Sequence, residues 1–320
     1  MRAVYFEDGA VTVRDVAKPR LKPGFALIRT RLAGVCNTDL ELLGGYYGFK
    51  GIPGHEFVGE VVECAERRWI GKRVVGEINL ACGACQACAQ GLGRHCARRS
   101  VLGILKHPGA FAEFLTLPLE NLLPVPAEMV DEYAVFAEPV AAACEILEQL
   151  PLGGQEEVAV LGDGKLGLLI AQVLTLSGCK VTAFGRNRAK LDILRPLGIK
   201  TVLVRRDSPK LPVAAFPFVV EATGAAEGLD AAIGMTQPRG TVIMKSTVRN
   251  RAVIDTARII VNEITLVGSR CGRFAPAMKL IRSGELNLGA MIDAWVPLDH
   301  AEVALALARE PGIVKVLLSA

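Results

Sequence analysis

Long hydrophobic runs are missing from this chain. Although 51% of its residues are hydrophobic, no stretch reaches the ~18 apolar residues that a membrane-spanning helix needs. The apolar content is broken into short runs that can line buried cores instead. Blocks of like charge are missing as well. Lys and Arg number 37 against 33 Asp and Glu, a formal charge of +4. The arginine pairs beginning at Arg67, Arg98 and Arg205 are short and interrupted by apolar residues, unlike a basic arm for nucleic acid. The opening "MRAVYFEDGAVTVRD" puts acids where a secretory signal needs an apolar core. The expected location is therefore cytoplasmic, and neither a membrane nor nucleic acid is an expected partner. Internal repeats and low-complexity tracts are absent too. What remains, with 320 residues of which 22% are charged, is a soluble globular chain long enough for two domains.

Cysteine, in contrast, is concentrated. "ACGACQACAQGLGRHC" holds Cys82, Cys85, Cys88 and Cys96, four of the chain's nine cysteines. In a reducing compartment such a group reads more readily as metal ligands than as a covalent framework. The spacing C-x2-C-x2-C-x7-C suits a closed tetrahedral zinc site, with two disulfides or an iron-sulfur cluster as the alternatives. Gly83, Gly91 and Gly93 ease the turns. Four protein ligands leave no position for a substrate, so this loop is structural and the chemistry lies elsewhere.

Along the chain the pattern changes near residue 130. Before it, "RAVYF", "FALIRTRLAGV", "FVGEVVEC", "KRVVGEI" and "FAEFLTL" are short apolar runs punctuated by Gly and Pro, which predicts a β-rich, barrel-like domain. After "PAEMVDEYAVFAEPVAAACEILEQL", which has helical spacing, strands and helices alternate. Strands are predicted at "EEVAVLG", "KVTAFG", "KTVLV", "FPFVVEATG", "GTVIMKS" and "EITLVGS", with "KLGLLIAQVLTLSG" as the first crossover helix. That alternation predicts an α/β unit with a doubly wound parallel sheet.

Directly after the first of these strands, Gly162, Gly164 and Gly167 form G-x-G-x-x-G, with Lys165 and Leu166 between the last two. In this context the signature predicts a dinucleotide site. The first glycine allows the turn, the second the approach of a pyrophosphate, and the third close helix packing. At the end of the second strand, where an acid would receive the ribose 2'-hydroxyl of NAD, the sequence has Gly185 followed by Arg186 and Arg188. That suits a 2'-phosphate, so NADP(H) is the expected preference and NAD(H) the alternative.

"C-x-T-D" at Cys36 to Asp39, "G-H-E-x-x-G" at Gly54 to Gly59, the four-cysteine loop and the glycine signature, in that order, resemble the zinc-containing medium-chain dehydrogenase/reductase family. The Glu138-Pro139 pair looks like its polyol, glucose and threonine dehydrogenase branch. The resemblance covers essentially the whole chain. It implies a discontinuous GroES-like catalytic domain at residues 1–139 and 269–320, a Rossmann cofactor domain at 140–268, and an active site in the cleft between them. Two zinc ions per chain are implied. Cys36 and His55 match catalytic ligands, with Glu138, Glu56 or Cys144 as the third. Thr38 matches the hydroxyl that passes the substrate proton outward, and Asp39 the carboxylate that orients the ligand histidine. Lys315 matches a basic residue at the cofactor pyrophosphate.

The expected activity is hydride transfer between an alcohol, polyol or sugar, or the matching carbonyl, and the nicotinamide. A zinc-free quinone or enone reductase and a non-catalytic nucleotide-binding protein are the competing readings. Tyr46, Tyr47 and Phe49 could line the substrate cleft or pack the barrel wall. Asn37 stands where the polyol branch has Gly, and the segment before Gly71 is shortened. The strand at "EITLVGS" is expected to pair with its copy in a homodimer or homotetramer.

Overall fold

Asp8 and Gly9 both adopt positive φ, 50° and 77°. Such a two-residue turn matches the natural twist of two strands, and it joins Arg2–Glu7 to Ala10–Asp15 in an antiparallel hairpin. The second of these strands was not among the predicted runs. The Asp-Gly pair is the sequence signal that identifies it.

In this computed structural model, residues 1–205, 211–248 and 252–320 are described, without the side chain of Tyr47. The chain divides into two units. One comprises Met1–Glu138, Phe274–Arg282 and Ile292–Ala320, the other Pro139–Arg273 and Ser283–Met291. The first break is one residue from the position expected, and the second follows Arg273 instead of residue 268. Ser283–Met291 returns to the second unit for a specific reason. Gln172, fully buried on the Lys165–Leu176 helix, accepts the Asn287 N–H at 2.7 Å, and the Asn287 amide donates to the Ile193 carbonyl at 3.0 Å.

The first unit is built on a sheet of seven strands. Its longest strand, Phe25–Gly34, pairs antiparallel with Glu56–Cys64, with Phe114–Pro118 and with the C-terminal Lys315–Ser319. In "FALIRTRLAG" Ile28, Thr30 and Leu32 are buried while Arg29 and Arg31 are exposed, the alternation that a half-covered strand requires. Arg31 and Arg73 converge on Asp131 at 2.5 and 2.7 Å.

The second unit holds six parallel strands. From one edge they are Lys200–Leu203, Lys180–Gly185, Glu157–Leu161, Phe216–Glu221, Thr236–Met244 and Thr265–Gly268. In chain order that is 3-2-1-4-5-6. The order reverses between the first and fourth strands, where a doubly wound sheet binds its ligand. Among the described residues no helix is long and apolar enough to cross a membrane.

Replacing Gln172 with Leu leaves the Asn287 N–H without its acceptor. We expect a loss of about 1–3 kcal/mol in urea unfolding, with Asn287→Ala giving a smaller loss.

Candidate active site and metal centres

Cys36 ends the turn that follows the Phe25–Gly34 strand and caps the Asn37–Leu43 helix. His55 directly precedes the neighbouring strand, whose first residue, Glu56, lies opposite Gly34. Antiparallel pairing thus brings two distant motifs to one end of the sheet. Asp39, completely buried, fastens them together. Its Oδ2 accepts the Cys36 N–H at 2.8 Å, its Oδ1 accepts the Gly54 N–H at 3.2 Å, and His55 Nδ1 stands 3.3 Å from Oδ1. Gly54 is required here. Its φ is +97°, and a Cβ would lie 2.3 Å from the Phe111 ring.

The result is a cluster in which the ligand atoms of Cys36, His55 and Glu56 all lie within 4.8 Å of one another. Burial pulls His55 toward its neutral form, but Asp39 and the Cys36 sulfur outweigh it and hold the ring's pKa well above 6.5. Such surroundings attract positive charge, and thiolate, imidazole and carboxylate are donors that zinc accepts. The Thr38 hydroxyl lies beside the cluster, 3.8 Å from Cys36 Sγ.

Lys315, expected at a pyrophosphate, is fully buried with its ammonium on Glu56 Oε2 and 5.3 Å from the Phe136 ring centroid. Its strand runs beside Phe25–Gly34, which carries the side chain inward. Glu138, in the first turn of the Ala137–Gln149 helix, is not part of the metal-capable cluster. Cys144 is buried on the same helix, and burial pushes its thiol up to about 11. Phe49 packs edge-on against Phe6 at 6.3 Å. Tyr46 is half-buried in a short turn, and the Tyr47 side chain lies outside the described residues.

The four-cysteine loop closes on itself. Sγ separations are 4.0 Å for Cys82 and Cys88, 3.4 Å for Cys85 and Cys88 and 3.7 Å for Cys85 and Cys96. A disulfide needs about 2.05 Å, so none of these pairs is bonded. Four sulfurs about 2.3 Å from one zinc would stand roughly 3.8 Å apart in a tetrahedron, and these separations bracket that edge. The thiols are primed unequally: a hydrogen bond from the Ala84 backbone leads in lowering Cys82 to about 6, while Cys85 leads in raising Cys88 to about 11. Arg98 adds a cation beside Cys82.

In the second unit each glycine of the signature has a separate physical reason. Gly162 has φ +128°, and a Cβ there would meet the Ala222 carbonyl oxygen at 2.3 Å. A Cβ on Gly167 would meet the Gly162 carbonyl oxygen at 2.2 Å, while Gly164 has nothing within 4 Å. The first and third are closed by protein, and the second faces the open space that a pyrophosphate needs. Lys165 and Leu166 start the helix, with Lys165 buried and Leu166 half-buried. Arg186 and Arg188 are exposed beyond the second strand.

Residues 22–127 match the family model for the alcohol dehydrogenase GroES-like domain, and residues 166–283 match that for zinc-binding dehydrogenase. A D-altritol 5-dehydrogenase of Agrobacterium fabrum is 32% identical over 84% of this chain and 84% of its own. The chain belongs to the zinc-containing medium-chain dehydrogenase/reductase family. An L-threonine 3-dehydrogenase of Rhizobium etli is 35% identical over 70% of this chain and 66% of its own length. Among solved structures, a zinc-binding dehydrogenase of Sinorhizobium meliloti bound to NADP is 26% identical. It covers 100% of this chain and 99% of its own with a TM-score of 0.91. This medium-chain dehydrogenase thus combines GroES-like and Rossmann-type domains.

Sequence reasoning missed two features of the cofactor unit. Glu221, buried at the end of the fourth strand, accepts from the Thr223 hydroxyl at 2.5 Å and from Ser246 Oγ at 3.0 Å. The second is Asp163, whose carboxylate crosses to the second strand. Its position inside "GDGKLG" was visible, but its direction was not.

Substituting Cys88 with Ser should remove one equivalent of zinc and lower the melting temperature by at least about 5 °C, because metal binding and local folding are coupled there. Atomic emission and a thermal scan on the same sample check both.

Proposed function

We propose that this medium-chain dehydrogenase is a zinc-dependent oxidoreductase. It moves a hydride between a secondary alcohol, polyol or sugar, or the corresponding carbonyl, and a nicotinamide dinucleotide. The observation that carries this reading is the placement of Cys36 and His55 together on the buried Asp39, their ligand atoms within 4.8 Å of one another. A zinc-free reductase has no use for such a set. The names of the altritol and threonine relatives support an alcohol-bearing substrate.

Cys36 and His55 would hold the catalytic zinc together with one carboxylate, and Cys82, Cys85, Cys88 and Cys96 would hold a structural zinc. Zinc at the first site supplies Lewis acidity that lowers an alcohol's pKa, and the nicotinamide supplies the hydride acceptor. The chain's own residues do the rest. Asp39, beside Nδ1 of His55, favours the tautomer with its proton on that nitrogen and leaves Nε2 a lone pair. Thr38, next to Cys36, offers a hydroxyl through which a substrate proton can leave. The glycine turn presents backbone to the pyrophosphate at Gly164.

Charge balance bears on which of the expected carboxylates is the third ligand. Glu56 is tied to Lys315, and both are fully buried. Separating such a pair leaves an uncompensated charge at a cost of about 3–5 kcal/mol. Glu56 therefore stays with Lys315, which leaves Glu138, outside the cluster of Cys36, His55 and Glu56, as the candidate third ligand. On the cofactor, Arg186 and Arg188 favour a 2'-phosphate while Asp163 opposes it. The edge strand Thr265–Gly268 lies next to a helix that exposes Ile260 and Val261 at 74% and 78%, which supports assembly as a homodimer or homotetramer.

A panel of secondary alcohols, polyols and sugars, followed by nicotinamide absorbance on the zinc-loaded protein, tests the activity. At least one should be oxidised with kcat above about 1 per second. His55→Ala should abolish that turnover and leave dinucleotide affinity within about twofold, and survival of turnover would overturn the reading. Glu138→Ala should lower zinc content by one equivalent, whereas Glu56→Ala should chiefly destabilise the fold.

A further inference from the structure

The glycine signature carries an acid between its first two glycines. From there the Asp163 carboxylate reaches across to the end of the neighbouring strand, where Oδ2 accepts the backbone N–H of Arg186 at 2.7 Å and of Asn187 at 2.6 Å. A Cβ on Gly185 would lie 2.5 Å from the Asp163 Cβ and 2.6 Å from its Oδ2. Gly185 has no side chain because Asp163 fills its space. The acid that the second strand lacks in sequence is present in space, delivered by the first loop.

In a doubly wound domain the end of the second strand is where the adenosine ribose 2'-substituent is read. Two amides there, both able to bond an anion, are already taken by one oxygen of a fixed carboxylate. Among the described residues Oδ1 makes no hydrogen bond, so it remains as an acceptor suited to a hydroxyl. A 2'-phosphate would bring about −1.5 to −2 charges to the same place and find an anion there. Arg186 and Arg188 oppose that repulsion only as exposed side chains, solvated and screened by salt. Asp163 is half-buried, and swinging it aside leaves two N–H groups unbonded.

We propose that Asp163 selects the cofactor: its carboxylate accepts the ribose 2'-hydroxyl of NAD(H) and disfavours the 2'-phosphate of NADP(H). The proposal rests on the reading of the glycine loop as a nicotinamide dinucleotide site, and it reverses the preference drawn from the two arginines. An acid installed at Gly185 is no test of it, since that side chain would collide with Asp163.

The test is titration of the purified full chain with NADH and with NADPH, followed by nicotinamide fluorescence, for the wild type, Asp163→Ala and Asp163→Asn. The wild type should bind NADH at least about tenfold more tightly than NADPH. Both variants should move the ratio of dissociation constants toward NADPH by about tenfold or more, with Asp163→Asn keeping the shape of the loop if the alanine variant does not fold. Equal or tighter binding of NADPH by the wild type overturns the proposal, as does an unchanged ratio in folded Asp163→Asn. Binding of neither dinucleotide overturns the cofactor reading, and the proposal with it. Binding of both without discrimination overturns the proposal alone.

Discussion

The Asp39 carboxylate is the constraint on which the cluster of Cys36 and His55 depends. It has no exposed surface, and its oxygens accept two backbone N–H groups from the Cys36 and Gly54 segments while standing 3.3 Å from the His55 ring. Without it the two motifs would share one end of the sheet but no fixed geometry. The same anion, together with the Cys36 sulfur, outweighs the effect of burial on His55. One buried charge thus positions a sulfur and an imidazole and makes their surroundings attractive to a cation, which is how an outer carboxylate tunes a metal site. A second buried charge pair, Glu56 with Lys315, lies alongside and ties the C-terminal strand to the same cluster.

The glycine loop of the second unit is organised on a different principle, steric exclusion. Backbone carbonyls close in on Gly162 and Gly167, nothing closes in on Gly164, and Asp163 occupies the place of a side chain at Gly185. The loop thus keeps one glycine open and fills the space beside Gly185 with the Asp163 side chain. The turn sits where the sheet order reverses, so its position follows from the topology and its chemistry from the side chains it lacks.

Much of this was legible in the sequence because it is local. The four cysteines lie within one loop, so their convergence needed only turns, and the Sγ separations agree with a tetrahedron. The parallel strands appear at the predicted apolar runs, since buried strands are written as continuous β-branched text. What resisted reading was set by contacts far apart in the chain. The Lys315 ammonium lies on Glu56, 259 residues away, and no spacing rule connects them. The Asp163 carboxylate lies against Gly185 and bonds the Arg186 and Asn187 amides, a direction that the sequence does not carry. Ser283–Met291 joined the second unit through one glutamine.

The most direct test of the account is zinc per chain in the wild type and in Asp39→Ala, measured by atomic emission after gel filtration in chelator-free buffer. Two equivalents in the wild type and one in the variant, with the second lost when Cys88→Ser is added, are predicted, because Asp39 organises one site and the cysteine loop is independent of it. Two equivalents retained by Asp39→Ala would contradict the claim that this carboxylate builds the catalytic centre.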